Sequence, residues 1–215
     1  MANLKPPPWE LKGSGYIILY KIPKALTLKL GFIPQSLKGR FKGGVLSVIV
    51  VDYKQTDAGP YRELLYIPGV FYKEGARRSI SKIYVSTTDS LINGRKNWGI
   101  PKELADFKFE KLNSRSEYIM VRKEGKPVAE FIFMEGRFCF PLKIRFLPFN
   151  LIQVYENKYY YNTFRGEGVA GSAKIRHIDI NSSMFPQVSS LKPRMVIKIK
   201  SFSMIFQTPK TKNLG

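Results

Sequence analysis

Short apolar runs, broken by turn residues, recur along most of this chain. Tyr16 to Ile22, Val45 to Tyr53, Glu63 to Phe71, Ser79 to Ser86, Glu117 to Arg122, Val128 to Met134 and Met195 to Phe206 are rich in Ile, Val, Tyr and Phe, with Gly, Pro and Asp between them. Such runs, bounded by turn residues, are the pattern of β-strands, and seven or more strands at this spacing predict a sandwich or barrel. Helical patterning is sparse. Leu26, Leu28 and Leu30 within Lys24 to Phe32 alternate as well as they spiral, which leaves that segment open between helix and strand. From Thr88 the signal is clearer: Thr88 or Asp89 caps a short helix through Leu91, Ile92 and Arg95, ending near Gly99 because Pro101 forbids continuation. The fold class expected is α+β, mainly β: an antiparallel, barrel-like sheet with few short helices.

No fixed-period repeat or low-complexity linker divides the 215 residues, so one domain is expected over 1–215. Residues 1–9, with Lys5-Pro6-Pro7-Pro8, and 208–215, with Thr208-Pro209-Lys210-Thr211-Lys212, read as loose tails. Hydrophobic residues at 44% and charged residues at 24% are ordinary globular usage and exclude collagen, coiled coil and mucin-like chains. A single cysteine, Cys139, and a single histidine, His177, exclude an internal disulfide, a structural zinc site and a histidine-based triad. Flanked by Phe138 and Phe140, Cys139 reads as a small core residue, and His177 as a surface or strand-face residue. Tyr155, Tyr159, Tyr160, Tyr161 and Phe164 suit a sheet face or a subunit interface.

The formal net charge of +20 raises anionic partners as a possibility. Basic residues are nevertheless spread from Lys12 to Lys200 without a dense run, and no nucleic-acid-binding motif accompanies them. We expect no specific nucleic-acid partner, and only weak attraction to anionic surfaces. The first residues hold no apolar signal region, and stretches such as Val45 to Val51 fall far short of the roughly 20 residues that span a bilayer, so a cytoplasmic location is expected.

Chemistry concentrates in two segments, Gly59-Pro60-Tyr61-Arg62-Glu63-Leu64 and Asn93 to Ala105. The second places Lys102 directly after Pro101, among Trp98, Ile100, Leu104 and Phe107. An ammonium in such dry surroundings loses hydration, and its pKa falls from about 10.4 to as low as about 5 to 6 in documented cases. The neutral amine is a nucleophile toward carbonyls. Most lysines instead extend their heads to solvent, so the residues alone leave both roles open.

Gly94-Arg95, Gly99-Ile100-Pro101-Lys102 and Leu104-Ala105, with Tyr61-Arg62-Glu63 upstream and a tyrosine-bearing first strand, resemble the acetoacetate decarboxylase family over about residues 10–205. That family is itself the standard case of a Schiff-base lysine activated by a lowered pKa. The resemblance implies that Lys102 forms an imine with a β-keto acid and that Glu63 orients substrate or moves protons. It also implies a barrel-type fold, carbon dioxide release without metal or organic cofactor, and a homo-oligomer. Without it, Glu63 is equally a strand-edge glutamate paired with a lysine. Tyr61, Trp98 and Ile100 would form the substrate wall; Arg95 is either a positive group toward substrate or an arginine packed under the Gly94 turn. Such sites are expected at a barrel mouth.

Three positions depart from the family pattern. Glu103 stands where the family has a second lysine, although neighbouring side chains of an extended stretch point to opposite faces. Val45 to Val51 carries no acid where the family's earlier glutamate belongs, and Lys12-Gly13-Ser14-Gly15 stands where an arginine precedes the first strand. These departures leave open a larger β-keto acid, aldol or dehydration chemistry through an imine, or a non-catalytic barrel that binds a hydrophobic carbonyl compound or lipid.

Overall fold

A computed structural model describes residues 4–143 and 150–214. The strands in chain order are β1 (Trp9–Lys21), β2 (Phe41–Gly43), β3 (Val45–Gln55), β4 (Tyr61–Ile67), β5 (Val70–Tyr72), β6 (Ala76–Arg78), β7 (Lys82–Val85) and β8 (Lys102–Leu104). They continue as β9 (Asp106–Lys111), β10 (Ser116–Lys123), β11 (Lys126–Lys143), β12 (Leu151–Tyr155), β13 (Lys158–Asn162), β14 (Phe164–Ile180), β15 (Met195–Phe206) and β16 (Lys210–Asn213). Two α-helices interrupt them, α1 (Lys24–Leu30) and α2 (Thr88–Trp98).

Ten strands form one sheet in the order β8-β7-β4-β3-β1-β15-β14-β11-β10-β9, antiparallel except where β7 meets β8. Its two edge strands are neighbours in sequence, separated by Ala105 alone, so the sheet curls until its edges approach. The gap is bridged by side chains: Arg62 of β4 donates to the Phe107 carbonyl at 3.1 Å, and Lys123 of β10 donates to Glu103 of β8 at 2.6 Å. The result is the barrel-like, mainly β fold that the apolar runs predict. A second sheet, β16-β13-β12-β6-β5-β2, lies beside it.

Strand alternation sorts the side chains onto two faces. Tyr16, Ile18, Tyr20, Val48, Val50, Leu64 and Tyr66 join Ile119, Phe131 and Phe133 from the other half of the strand order, filling the concave interior. Residues one position away, Leu11, Val51, Tyr53, Tyr61, Leu65 and Ile67, form a separate core on the outer face with Trp98 and Ile100. The functional residues belong to that outer face.

Several expectations are corrected. The capping side chain of α2 is Thr87, whose hydroxyl accepts from the Ser90 amide at 3.3 Å, because Thr87 is the last extended residue before the helix. Lys24 to Leu30 is helical, burying Thr27 rather than a leucine stripe. Trp9, assigned to a loose tail, begins β1 and is buried; residues 210–213 pair as β16 with β13, since polar residues suit an exposed edge strand. Cys139 is exposed, as are Phe138 and Phe140. β10 pairs with β11 only as far as Met134, and an irregularity follows Glu135, so this end of β11 runs beyond the core that would cover it. His177 lies exposed on β14, while Tyr159 and Tyr161 pack with Phe41 and Phe71 in the core of the second sheet. Among the described residues no helix is long and apolar enough to cross a membrane.

Candidate active site

Lys102 opens β8, one residue after Pro101, and pairs in register with Ile83 of β7. α2 delivers it there. Gly99 ends that helix in the left-handed conformation at φ 64°; its amide donates to the Arg95 carbonyl at 3.0 Å, and the Ile100 amide to the Gly94 carbonyl at 3.2 Å. The chain then turns so that Lys102 lies back along the helix. Arg95 donates from Nε to the Lys102 carbonyl at 2.9 Å, which holds the backbone of the turn. Arg95 is not among the residues lining the cavity described below.

The amine is enclosed on several sides. Lys102 is only 3% exposed and Glu63 4%. Nζ donates to Ser90 Oγ at 2.9 Å, lies 3.3 Å from Glu63 Oε1, and stands 4.8 Å from the centre of the Tyr61 ring. Ser90 and Gly94 are four residues apart on α2 and face the lysine together. Burial lowers the Lys102 pKa from the ordinary lysine value, with the Glu63 carboxylate opposing it. The same burial, assisted next by the Glu63 charge, raises Tyr53 and Tyr61 well above an ordinary phenol, so both keep their protons. A serine hydroxyl, a tyrosine ring and a carboxylate thus surround a lysine whose pKa is lowered by burial.

Glu103 points away from this cluster. It accepts from Lys82 at 2.5 Å and Lys123 at 2.6 Å, and burial is outweighed by these partners, which lower its pKa. Replacing it by glutamine is therefore expected to leave the reactivity and pH profile of Lys102 unchanged. Its cost is about 1 kcal/mol of stability from two partly exposed ion pairs, readable by denaturant unfolding. A shift in the Lys102 profile would mean that the two side chains share one field.

A cavity of about 160 Å³ adjoins the amine. Its wall includes Trp9 and Leu11 of β1, Val51 of β3, Trp98, Ile100 and Phe206 of β15. Tyr61, Trp98 and Ile100, expected as substrate wall, all line it. Among the described lining residues the charged side chains are Lys102 and Glu63. Val51, directly across from Glu63 in the β3–β4 pairing, presents an apolar side chain. Lys12 to Gly15 lie within β1, not before it, because the strand starts at Trp9; Lys12 is exposed, and a side chain at Gly15 would meet the Val50 carbonyl at 2.2 Å. The cavity is lined mostly by the Leu11, Val51, Tyr61, Trp98 and Ile100 core, with Tyr16 and Val50 of the other core also reaching it.

Ser90, Gly94 as a packing partner, Tyr53 and Phe206 escape a linear reading. The first two share a helix face with i, i+4 spacing, a signal present in the sequence; the contact with Lys102 is not. Tyr53 and Phe206 lie at the ends of predicted strands, where nothing local distinguishes a cavity wall from a core.

A mainly β, curled sheet that buries a lysine and a glutamate together beside an apolar cavity defines a class of barrel-like protein with one enclosed amine. The family model "Acetoacetate decarboxylase (ADC)" matches residues 4–143, and the chain belongs to that family. Among solved structures, acetoacetate decarboxylase from Legionella pneumophila is similar at 14% identity with a TM-score of 0.71, covering 96% of this chain and 88% of that one. The enduracididine biosynthesis enzyme MppR is similar at 14% identity with a TM-score of 0.68, covering 98% and 89%. An acetoacetate decarboxylase-like enzyme from Sphingomonas wittichii RW1 gives 10% identity and a TM-score of 0.69, covering 98% and 94%. At such identities these likenesses concern the fold. No curated protein matches the sequence.

Proposed function

We propose that the chain is an imine-forming lyase that condenses the Lys102 amine with the keto group of a β-keto acid and releases carbon dioxide. The observation that carries this reading is the enclosure of that amine: 3% exposed, 3.3 Å from Glu63, and lowered in pKa by burial. The neutral amine attacks the keto carbon, and loss of water leaves a protonated imine. The bond from the α-carbon to the carboxylate then breaks, carbon dioxide departs, and the electron pair moves into the imine to give a neutral enamine. A proton added to the α-carbon restores the imine, and water releases a ketone and the free amine. Glu63, beside Nζ, is placed to carry protons during imine formation and hydrolysis. In sum one β-keto acid anion and one proton become one ketone and one carbon dioxide, with no metal or organic cofactor required. The dry wall assists the central step, because a zwitterion becomes two neutral products and apolar surroundings penalise the charged side.

A second reading is condensation chemistry, in which the Lys102 enamine attacks an aldehyde. It is favoured by the absence of a second cation among the described lining residues, since no group there pairs with a substrate carboxylate. MppR has been captured with the condensation product of pyruvate and imidazole 4-carboxaldehyde.

Borohydride trapping with a panel of β-keto acids and simple ketones, read by intact mass and peptide mapping, tests both. The expected result is one adduct at Lys102, absent from Lys102→Arg, together with carbon dioxide from a β-keto acid. An adduct without carbon dioxide selects condensation or simple capture. No adduct from any compound, with Lys102→Arg folding and binding like the parent, leaves a non-catalytic binding barrel.

A further inference from the structure

Resting on the imine reading above, we infer that the substrate is a 3-oxo acid whose keto carbon bears an apolar chain of about three to five carbons, where acetoacetate carries a methyl, because the cavity is benzene-sized or larger and apolar. The cavity of about 160 Å³ compares with the roughly 150 Å³ engineered apolar cavity that stays dry and holds benzene. Beyond Lys102 and Glu63 its side chains are aliphatic, aromatic or thioether, among them Trp9, Leu11, Val51, Phe202, Met204 and Phe206. Left empty by a methyl ketone, this surface contributes nothing to binding.

Charge leads to the same substrate. Lys102 is consumed in the imine, and the other charged lining side chain among the described residues, Glu63, repels an anion. The substrate carboxylate therefore has the iminium as its partner and no further cation in the described wall. What the described wall offers is affinity for the other end of the molecule. Remote apolar binding then offsets the burial of a carboxylate that is about to be lost, which is how contacts away from the reacting carbon support the transition state. Each methylene taken from water into such a wall raises kcat/KM about fourfold.

Carbon dioxide release from 3-oxobutanoate, 3-oxohexanoate, 3-oxooctanoate and 3-oxodecanoate, with borohydride trapping of each in parallel, tests the inference. Over the four methylenes from 3-oxobutanoate to 3-oxooctanoate, kcat/KM is expected to rise about 200-fold, then to level or fall as the chain outgrows the cavity. Phe202→Ala, at a half-buried wall position, should move the maximum to a longer chain. A flat or falling series with the Lys102 adduct intact overturns the inference and leaves the imine reading standing. A rise whose maximum Phe202→Ala does not move, in a variant that melts like the parent, places the chain elsewhere and also overturns it. No adduct with any member removes the imine reading itself.

Discussion

Replacing Gly94 by alanine is expected to cut imine formation at Lys102 about a hundredfold while the protein stays folded. A Cβ built on Gly94 would lie 2.5 Å from Lys102 Cδ, 2.6 Å from Cε and 3.2 Å from Nζ. A lysine side chain bends easily in solvent, but this one is enclosed by α2, β4 and the cavity wall. To make room it must leave the rotamer that brings Nζ to Ser90 and Glu63. Displacements of about 1 Å suffice for losses of this size where reaction depends on placement. Stability responds less, because two effects oppose each other: alanine favours the helix by about 1 kcal/mol, and overpacking costs about 1–3 kcal/mol. Trapping kinetics beside a thermal melt separate them. Unchanged trapping would show that the amine works from another rotamer, with Gly94 serving the helix alone.

Glu63→Gln is expected to lower turnover by about 10²- to 10⁴-fold and to move the pH profile of adduct formation toward acid. The direction follows from the charges. In the parent, burial lowers the Lys102 pKa and the Glu63 carboxylate raises it; removing the carboxylate leaves the first effect unopposed. The amine is then neutral from a lower pH upward, so the trapped fraction grows at acidic pH although proton transfer is slower. A shift toward alkali would mean that Glu63 does not face the amine in solution. Folding stability carries the same signature in the parent. The folded protein binds fewer protons at Lys102 than the unfolded chain between the lowered pKa and about 10.4. This group's contribution therefore rises with pH through that window and is lost below the folded value. Denaturant unfolding across pH should show a steeper dependence in Glu63→Gln.

Much of the architecture is legible along the chain because a strand's signal is local. Val45 to Tyr53 and Met195 to Phe206 are rich in β-branched and aromatic residues for nearly their whole observed length, and Gly99 before Pro101 marks the end of α2 within the sequence itself. Errors arose where burial was read from neighbours in sequence. Cys139 between two phenylalanines has the local composition of a core, yet β11 has by then outrun the strand that would cover it. The C-terminal lysines and threonines look solvated, and they are, but as an edge strand beside β13.

The candidate site divides along the same physical line. Sequence alone determined that a lysine follows proline in an apolar context, that the chain lacks the histidines and cysteines for a metal or triad, and that Glu103 and Lys102, as extended neighbours, face opposite ways. Those are properties of composition and of backbone geometry over two or three residues. Only the tertiary structure decided that Ser90 and Glu63 meet the amine, that Gly94 makes the space for it, and that an apolar cavity adjoins it. Each of these depends on contacts among α2, β4 and β8: β4 and β8 flank β7 in the sheet, which brings Glu63 within 3.3 Å of the amine, and the turn after α2 folds Lys102 back to Ser90 at 2.9 Å. Desolvation, which lowers the pKa of the lysine, is a sum over all of those contacts and exists only once they are made.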